Sequence, residues 1–565
     1  MASEFQNDMA LFTLKLHRGE GMTLLAMNWK SGQPPLDFVG FAIEYKEPGG
    51  ERYFSLKNRL GFLGLENQLN PQSLSTKLAP IQKFRWVHFP RNAELLGEFV
   101  YRVAPVFMND RDELSYGEPQ QVAIELRRET YPGVLNVTVT RGFVSSQAFV
   151  DRYQSAGDIS TLLPAQAADG LTFTPTHPQA DEALAWMGFE ARRAIIDVLD
   201  RAIADLTAKV SVIAYDLSEP GIVTRLAQLG SRLQIIIDDS KDHLKAGSGE
   251  NQSAELLIAS AGKDNVQRQH MRKLQHNKII IVDSATAQSA VCGSTNFSWR
   301  GFFVQSNNAI ILQGANAIKP FLTAFENYWT LDPSDFDNSS SAEWSDLNLP
   351  EIDARIAFSP HQTSNALLKT IADDIDTTTS SLFFSLAFLY QTEGAIKAAI
   401  ANIINKNDTF VYGISDKKIG GLDLQKPDGS IAPVFPAALT QNVPAPFSSE
   451  PTGGAGIRMH HKFVVIDFDK PTARVYLGSY NFSTAADTSN GENLLLIKNH
   501  RIAVAYVVEA VRIIDHYHFR VAQQTAEAGQ KNLHLAKPPR NAGEQPWWDE
   551  DYTNAPKIRD RELFA

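Results

Sequence analysis

HNKIIIVDSATAQSAVCGSTN (276–296) and HHKFVVIDFDKPTARVYLGSYN (460–481) carry one pattern twice. Each opens on H-x-K, passes four residues to an aspartate, and reaches G-S-x-N after nine or ten more. The residues between lysine and aspartate, Ile279–Val282 and Phe463–Ile466, are all apolar, as in a strand covered on both faces. One such match in 565 residues could be accidental. Two at equivalent points, each followed by G-S-x-N, mark a duplicated unit.

The flanking sequence supports this. Leu135–Thr140, Lys209–Asp216, Arg232–Asp238 and Asn307–Leu312 read as strands, with helices near 182–208, 220–229, 252–262 and 317–329. Ala354–Ser359, Ser381–Leu389, Thr409–Ser415 and Glu492–Ile497 repeat the order, and a helix over Ile502–Phe519 ends it. The expected fold class is α/β, a duplicated pair of lobes with helix-flanked mixed sheets, preceded by an all-β sandwich. The expected domains are a β-sandwich at 1–130, lobes at 131–335 and 353–525, a polar linker at 336–352 and a tail at 526–565. Trp547 and Trp548 are the tail's expected anchors. In the β-region, LLAMNWKSGQPPLDFVGFAIEYKEPGG (24–50) and EFVYRVAPVFMNDRDELSYGEP (98–119) resemble a fibronectin type III domain. Trp29 would be its core tryptophan and Tyr101 its late-strand aromatic, and the resemblance implies no chemistry.

The paired motifs resemble the HKD motifs of the phospholipase D superfamily, over roughly residues 135–525. That resemblance implies one active site between the lobes, a phosphohistidine intermediate, no metal and no other cofactor. The residue types suit the chemistry. His and Lys two apart on a strand share a face, so two strands can bring two imidazoles and two ammonium groups to one point. Lys278 and Lys462 would offset charge developing on a phosphoryl group, and Asn296 and Asn481 would donate hydrogen bonds to it. One histidine attacks phosphorus and the other protonates the leaving oxygen. Asp283 and Asp467 complete the motifs as catalytic candidates or anchors, with Ser294 and Ser479 as polar support near the phosphate. Glu492 is expected behind His460 and Asn307 behind His276. A carboxylate favours a protonated ring, so His276 becomes the nucleophile and His460 the acid.

Other residues fit structural positions: His270, His361 and His461 as satisfied histidines, and Cys292 as a small core residue. A single cysteine excludes an intramolecular disulfide and a multi-thiolate metal centre. Adjacent His460 and His461 face opposite ways on a strand, which argues against a shared metal. No apolar run reaches a membrane span, and the N-terminus lacks a basic start before an apolar core. The expected location is cytoplasmic, or secreted without an evident signal peptide. Oligomeric state is not readable.

The motifs fix reaction type and leave substrate open. The net charge of −11 disfavours a polyanion. The long insertion Asp416–Gly454 contains the uncharged, proline-rich IAPVFPAALTQNVPAPF (431–447), which suits acyl chains or an apolar gate. The aromatic stretch Trp299–Phe303 after the first G-S-x-N points the same way or to core packing. Membrane-bound phospholipid synthases carry spanning helices, so that branch is set aside. The reading is a phospholipase D that cleaves phospholipid head-group bonds, with transient membrane or micelle contact and capacity for transphosphatidylation. The alternative is a nuclease or another non-lipid phosphodiesterase, for which Arg268, Arg272 and Lys273 form a basic patch ahead of His276.

Overall fold

The apolar runs read as buried strands form two seven-stranded mixed sheets with the same internal order. They are seen in a computed structural model that describes residues 7–64, 74–127, 129–142, 146–389, 394–406, 408–415, 424–425, 431–432, 459–529 and 533–565. The chain divides into two compact units. One comprises 1–128, 425–431 and 507–565, and the other 129–424 and 432–506.

In the first unit, β1 (Phe12–Arg18), β2 (Thr23–Trp29) and β4 (Arg85–His88) form one antiparallel sheet; β3 (Phe38–Lys46), β5 (Glu98–Met108) and β6 (Gln120–Glu125) are the long strands of another. Alternate residues of both sheets meet in one core: Phe12 and Leu14, Leu25 and Met27, Phe41 and Ile43, Phe99, Tyr101 and Val103. Trp29 and Tyr101 lie in that core. The tail packs on the same strands. Trp547 stacks on Phe84 and donates to the Phe38 carbonyl at 3.1 Å, and Trp548 is buried.

In the second unit, lobe 1 contains β7 (Leu135–Val139), β8 (Lys209–Ala214), β9 (Leu233–Ile237), β10 (Val266–Arg268), β11 (Lys278–Asp283), β12 (Gln288–Gly293) and β13 (Asn308–Gln313). Their spatial order is β7-β13-β12-β11-β8-β9-β10. Lobe 2 contains β14 (Ser345–Asp346), β15 (Asp353–Ser359), β16 (Ser381–Leu386), β17 (Phe410–Ile414), β18 (Lys462–Ile466), β19 (Arg474–Gly478) and β20 (Glu492–Lys498), ordered β14-β15-β20-β19-β18-β16-β17. Removing edge strands β10 and β14 leaves the same six-strand order in both. The motif strands β11 and β18 are central, and every residue of β18 is buried.

The stretch expected as a linker is packed instead. Ser345–Asp346 extends the lobe 2 sheet, Leu347 is buried, and Phe336 stacks on Tyr328 with centroids 3.9 Å apart. Its few apolar residues are spaced to reach the core, which outweighs polar composition. The insertion 416–454 lies almost wholly outside the described residues.

Arg85 is the main charged fastening of the first unit. It makes a bidentate pair with Asp560 at 2.8 and 3.0 Å and reaches Asp515 at 2.5 Å, while only 8% exposed. Arg85→Ala strands two carboxylates in a half-buried setting. It should cost this unit about 3 kcal/mol, read as a lowered midpoint in urea unfolding. An unchanged midpoint would show that the pairs contribute nothing.

Candidate active site

β11 and β18 begin at Lys278 and Lys462, so each histidine lies two residues before its strand, in the stretch that enters the sheet. The two lobes meet there by backbone as well as side chain. Ser306 bridges Met459, and Gln275 bridges Gly491, both in parallel sense. His460 N donates to Ser306 O at 3.0 Å, and Gly491 N donates to Leu274 O at 2.8 Å. The segment leading into β13 therefore runs beside the motif of lobe 2, and the segment leading into β20 beside the motif of lobe 1. Gly293 and Gly478 permit this arrangement. Their φ values of 134° and 144° favour glycine, and a Cβ would collide with the Asn308 and Asn493 carbonyls.

The consequence reverses one expectation. Glu492 does not back His460, and Asn307 does not back His276; each reaches across to the other lobe. Glu492 Oε1 lies 3.2 Å from His276 Nδ1, and Asn307 Oδ1 lies 2.8 Å from His460 Nδ1. The adjacent residues exchange too. Asn493 Nδ2 donates to Asn277 Oδ1 at 2.8 Å, and Asn308 Nδ2 lies 3.1 Å from His461 Nδ1. Both backing oxygens are acceptors here, so both rings carry their proton on Nδ1 and keep the Nε2 lone pair, which in His460 faces Lys462 Nζ at 3.1 Å.

His276, Lys278, His460, Lys462 and Glu492 are all buried, with at most 4% exposed. Burial, then Lys278, depresses His276 to about 4 against the opposing charge of Glu492. His460 is pushed well below its ordinary value by burial, then Lys462 and Lys278. Burial brings Lys278 down to about 7, against the attraction of Asp216 and Glu492, and lowers Lys462 strongly. Burial pushes Glu492 upward, but His276, Asn490 and Lys278 outweigh it and keep it ionised. An incoming phosphodiester anion supplies the counter-charge that these cations lack.

The other expected site residues divide. Asn481 Nδ2 donates to Glu492 Oε1 at 3.1 Å and lies 3.5 Å from His276 Nδ1; Asn296 Nδ2 donates to Asp216 Oδ2 at 2.7 Å. Ser294 donates to Asn307 Oδ1 at 2.9 Å, and Ser479 accepts from Asn493 Nδ2 at 3.0 Å, so both serines hold the backing segments. Asp283 and Asp467 are not brought to the pocket. Four residues separate each from its lysine, a rise of about 16 Å along extended chain. Asp467 instead accepts from Thr379, Ser380 and Ser381 N–H groups at 2.8–3.2 Å, and Asp283 accepts from Gln288 at 3.2 Å. They are strand-end anchors.

Two substrate cues disappear as well. Phe302 and Phe303 are fully buried and Trp299 donates to Gly170 O, so this aromatic stretch is core. Arg268 is tied to the Asp238 and His243 carbonyls and Arg272 to Asp337, so the basic patch is structural.

Sequence reading missed Tyr215, Asp216, Asp238, His243 and Glu250. Tyr215 lies with its ring centroid 4.7 Å from both His276 and His243. Asp216, His243 and Glu250 are the one group among the described residues whose ligating atoms, all within 4.8 Å, could hold a metal. Burial opposes charge on His243, yet Asp216, Asp238 and Glu250 raise it to about 10. The available signal was positional: Asp216 lies two residues past the end of β8, the strand that pairs with Lys278.

Two imidazoles, with Lys462 Nζ 3.1 Å from His460 Nε2, two desolvated ammonium groups and two carboxamides have the chemistry to carry out phosphoryl transfer. A family model described as "Cardiolipin synthase, PLD-like domain" matches residues 199–329 and 371–513, one segment in each lobe. The two matched segments, just under half of the chain, are similar to a phospholipase D-like domain. Similar solved structures include phosphatidylserine synthase from Haemophilus influenzae, at 13% identity over 66% of this chain and 93% of that one, TM-score 0.40. A yeast tyrosyl-DNA phosphodiesterase mutant shares 12% over 54% and 85%, TM-score 0.31. Nuc, a phospholipase D family member from Salmonella typhimurium, shares 21% over 24% and 86%, TM-score 0.19. At these values they add nothing to the reading of substrate. No curated protein matches the sequence.

The titrations give a test. For a small chromogenic diester, kcat/KM should rise through a limb near pH 4, as His276 loses its proton. It should fall through a limb no higher than about pH 7, as Lys278 and Lys462 lose theirs. Lys278→Arg should weaken the alkaline limb. A profile flat across neutrality would contradict desolvated lysines.

Proposed function

We propose that the protein is a phospholipase D-type hydrolase that cleaves head-group phosphodiester bonds of phospholipids, without metal, through a phosphohistidine at His276. The observation that carries this is the unequal backing of the two buried histidines. Bond formation from Nε2 to phosphorus turns the His276 ring cationic, and Glu492 at Nδ1 offsets that charge. The neutral Asn307 offers His460 no such compensation. The sequence argument assigned the acid by its carboxylate, and with the partners exchanged it would point to His276. That inference fails because His276, even beside Glu492, stays far below its ordinary value.

In the first step the Nε2–P bond forms and the P–O bond to the head group breaks. The leaving oxygen takes a proton from His460, which became protonated as the substrate anion entered. Water then attacks phosphorus and gives its proton to His460; the N–P bond breaks and a phosphate monoester leaves. An alcohol in place of water gives transfer. The family model bears a synthase's name, which supports keeping transfer in the reading. No helix among the described residues is long and apolar enough to cross a membrane, and that fact does not separate hydrolysis from transfer. Lipid is favoured over nucleic acid by the net charge of −11, which disfavours a polyanion, and by the tethered arginines.

The test is head-group release from phosphatidylcholine and phosphatidylethanolamine vesicles against cleavage of single- and double-stranded DNA, all in excess EDTA. Vesicle turnover that survives EDTA and falls by about a thousandfold or more in His276→Ala is expected. DNA cleavage alone would transfer the protein to the nuclease reading. Label trapped by an alkaline detergent quench, in which an N–P bond survives, should lie on His276, and label on His460 would invert the assignment.

A further inference from the structure

Each lobe holds its G-S-x-N asparagine with one carboxylate, but from different places in the fold. Ala214 pairs with Lys278 and Leu386 with Lys462. Tyr215 N donates to Asn277 O at 3.1 Å, and Ala387 N donates to His461 O at 3.2 Å. Asp216 and Phe388 are therefore equivalent positions. In the same way Gly293 pairs with Ala309 and Gly478 with Leu494, which makes Asn307 equivalent to Glu492. Lobe 2 has its carboxylate at Glu492 and an aromatic ring at Phe388. Lobe 1 has an amide at Asn307 and its carboxylate at Asp216.

Asp216 is itself clamped. Its Oδ1 lies 3.2 Å from His243 Nε2, whose Nδ1 lies 2.7 Å from Asp238 Oδ2. Asp238 Oδ1 accepts from Gln275 N at 2.6 Å, the residue before His276. A line of charge-assisted bonds thus runs from the entry of the first motif to Asn296.

A carboxamide can turn over and exchange its donor and acceptor ends. Asn296 Oδ1 is buried and has no partner among the described residues, and Asn481 Oδ1 is in the same condition. A carboxylate accepts only, so it admits Nδ2 and excludes Oδ1. One N–H of Asn296 is taken by Asp216, which leaves the other available to a phosphoryl oxygen. With the amide reversed, its oxygen would face the anion.

We propose that Asp216, clamped by His243, is a positioning residue that fixes the polarity of the Asn296 amide, as Glu492 fixes that of Asn481. This rests on the pocket being a phosphodiester site. Asp216→Asn keeps the shape and removes the polarity lock. Its kcat on a chromogenic diester should fall roughly tenfold to a hundredfold, less than the about hundredfold to thousandfold of a deleted transition-state donor because the amide is misoriented and not removed, with KM within about threefold. Asp216→Phe should be at least as slow. Adding Asn307→Glu copies the lobe 2 arrangement and should recover at least about tenfold, which a merely structural role would not allow.

Thermal unfolding of every variant and active-site titration separate slow protein from unfolded protein. Should Asp216→Asn fold poorly, His243→Gln leaves the carboxylate in place but unclamped; a folded His243→Gln with wild-type kcat overturns the clamp. Folded Asp216→Asn with wild-type kcat overturns the proposal, as does a folded double variant no faster than Asp216→Phe. Wild-type protein that turns over no diester, lipid or nucleic acid overturns instead the reading of the pocket.

Discussion

Burying two lysines and two histidines beside the enclosed carboxylate of Glu492, with Asp216 close by, is the constraint on which the second unit depends. Lys278 and Lys462 are each 1% exposed and Glu492 is wholly buried. Such a group of like charges is costly to desolvate. It is tolerated because the lysines donate to the carbonyls of their own histidines and Glu492 is shared with Asn481 and Asn490. The seven-stranded sheets give this cluster a rigid foundation, since the motif strands are central and enclosed on both faces. The same desolvation makes the pocket receptive to an anion. What is unfavourable in the free protein becomes neutralised when a phosphodiester enters.

Much of this could be read from the chain. Continuous apolar runs such as Lys278–Asp283 and Lys462–Ile466 can hardly be anything but buried strands beside a duplicated motif, and their ends agree closely with the structure. β1 and β4 are hard to read from the chain because Lys15, His17 and Arg18 break the apolar alternation of one, and Arg85 and His88 that of the other. The aspartates of the motifs were legible as conserved spacing within the chain itself, yet spacing does not give distance. An extended strand carries Asp283 and Asp467 away from the lysines that they follow so closely in sequence.

The least legible feature was partnership across the lobes. Sequence order places Glu492 just after the second motif, and proximity along the chain suggested proximity to His460. Pairing is decided instead by which segments bridge, Gln275 with Gly491 and Ser306 with Met459. That information resides in the docking of two sheets. Asp216 and His243 were overlooked for a related reason: they lie outside both motifs, and their importance shows only when the two lobes are superposed strand by strand.

The exchange of backing residues has a further meaning for the molecule's origin and its freedom to change. A lobe alone holds a histidine without its orienting group and an orienting group without its histidine, so the smallest working unit is a couple. Two identical lobes would be bound to identical backing on both sides. Joined in one polypeptide, they are released from that symmetry, and a carboxylate can serve one imidazole while an amide serves the other.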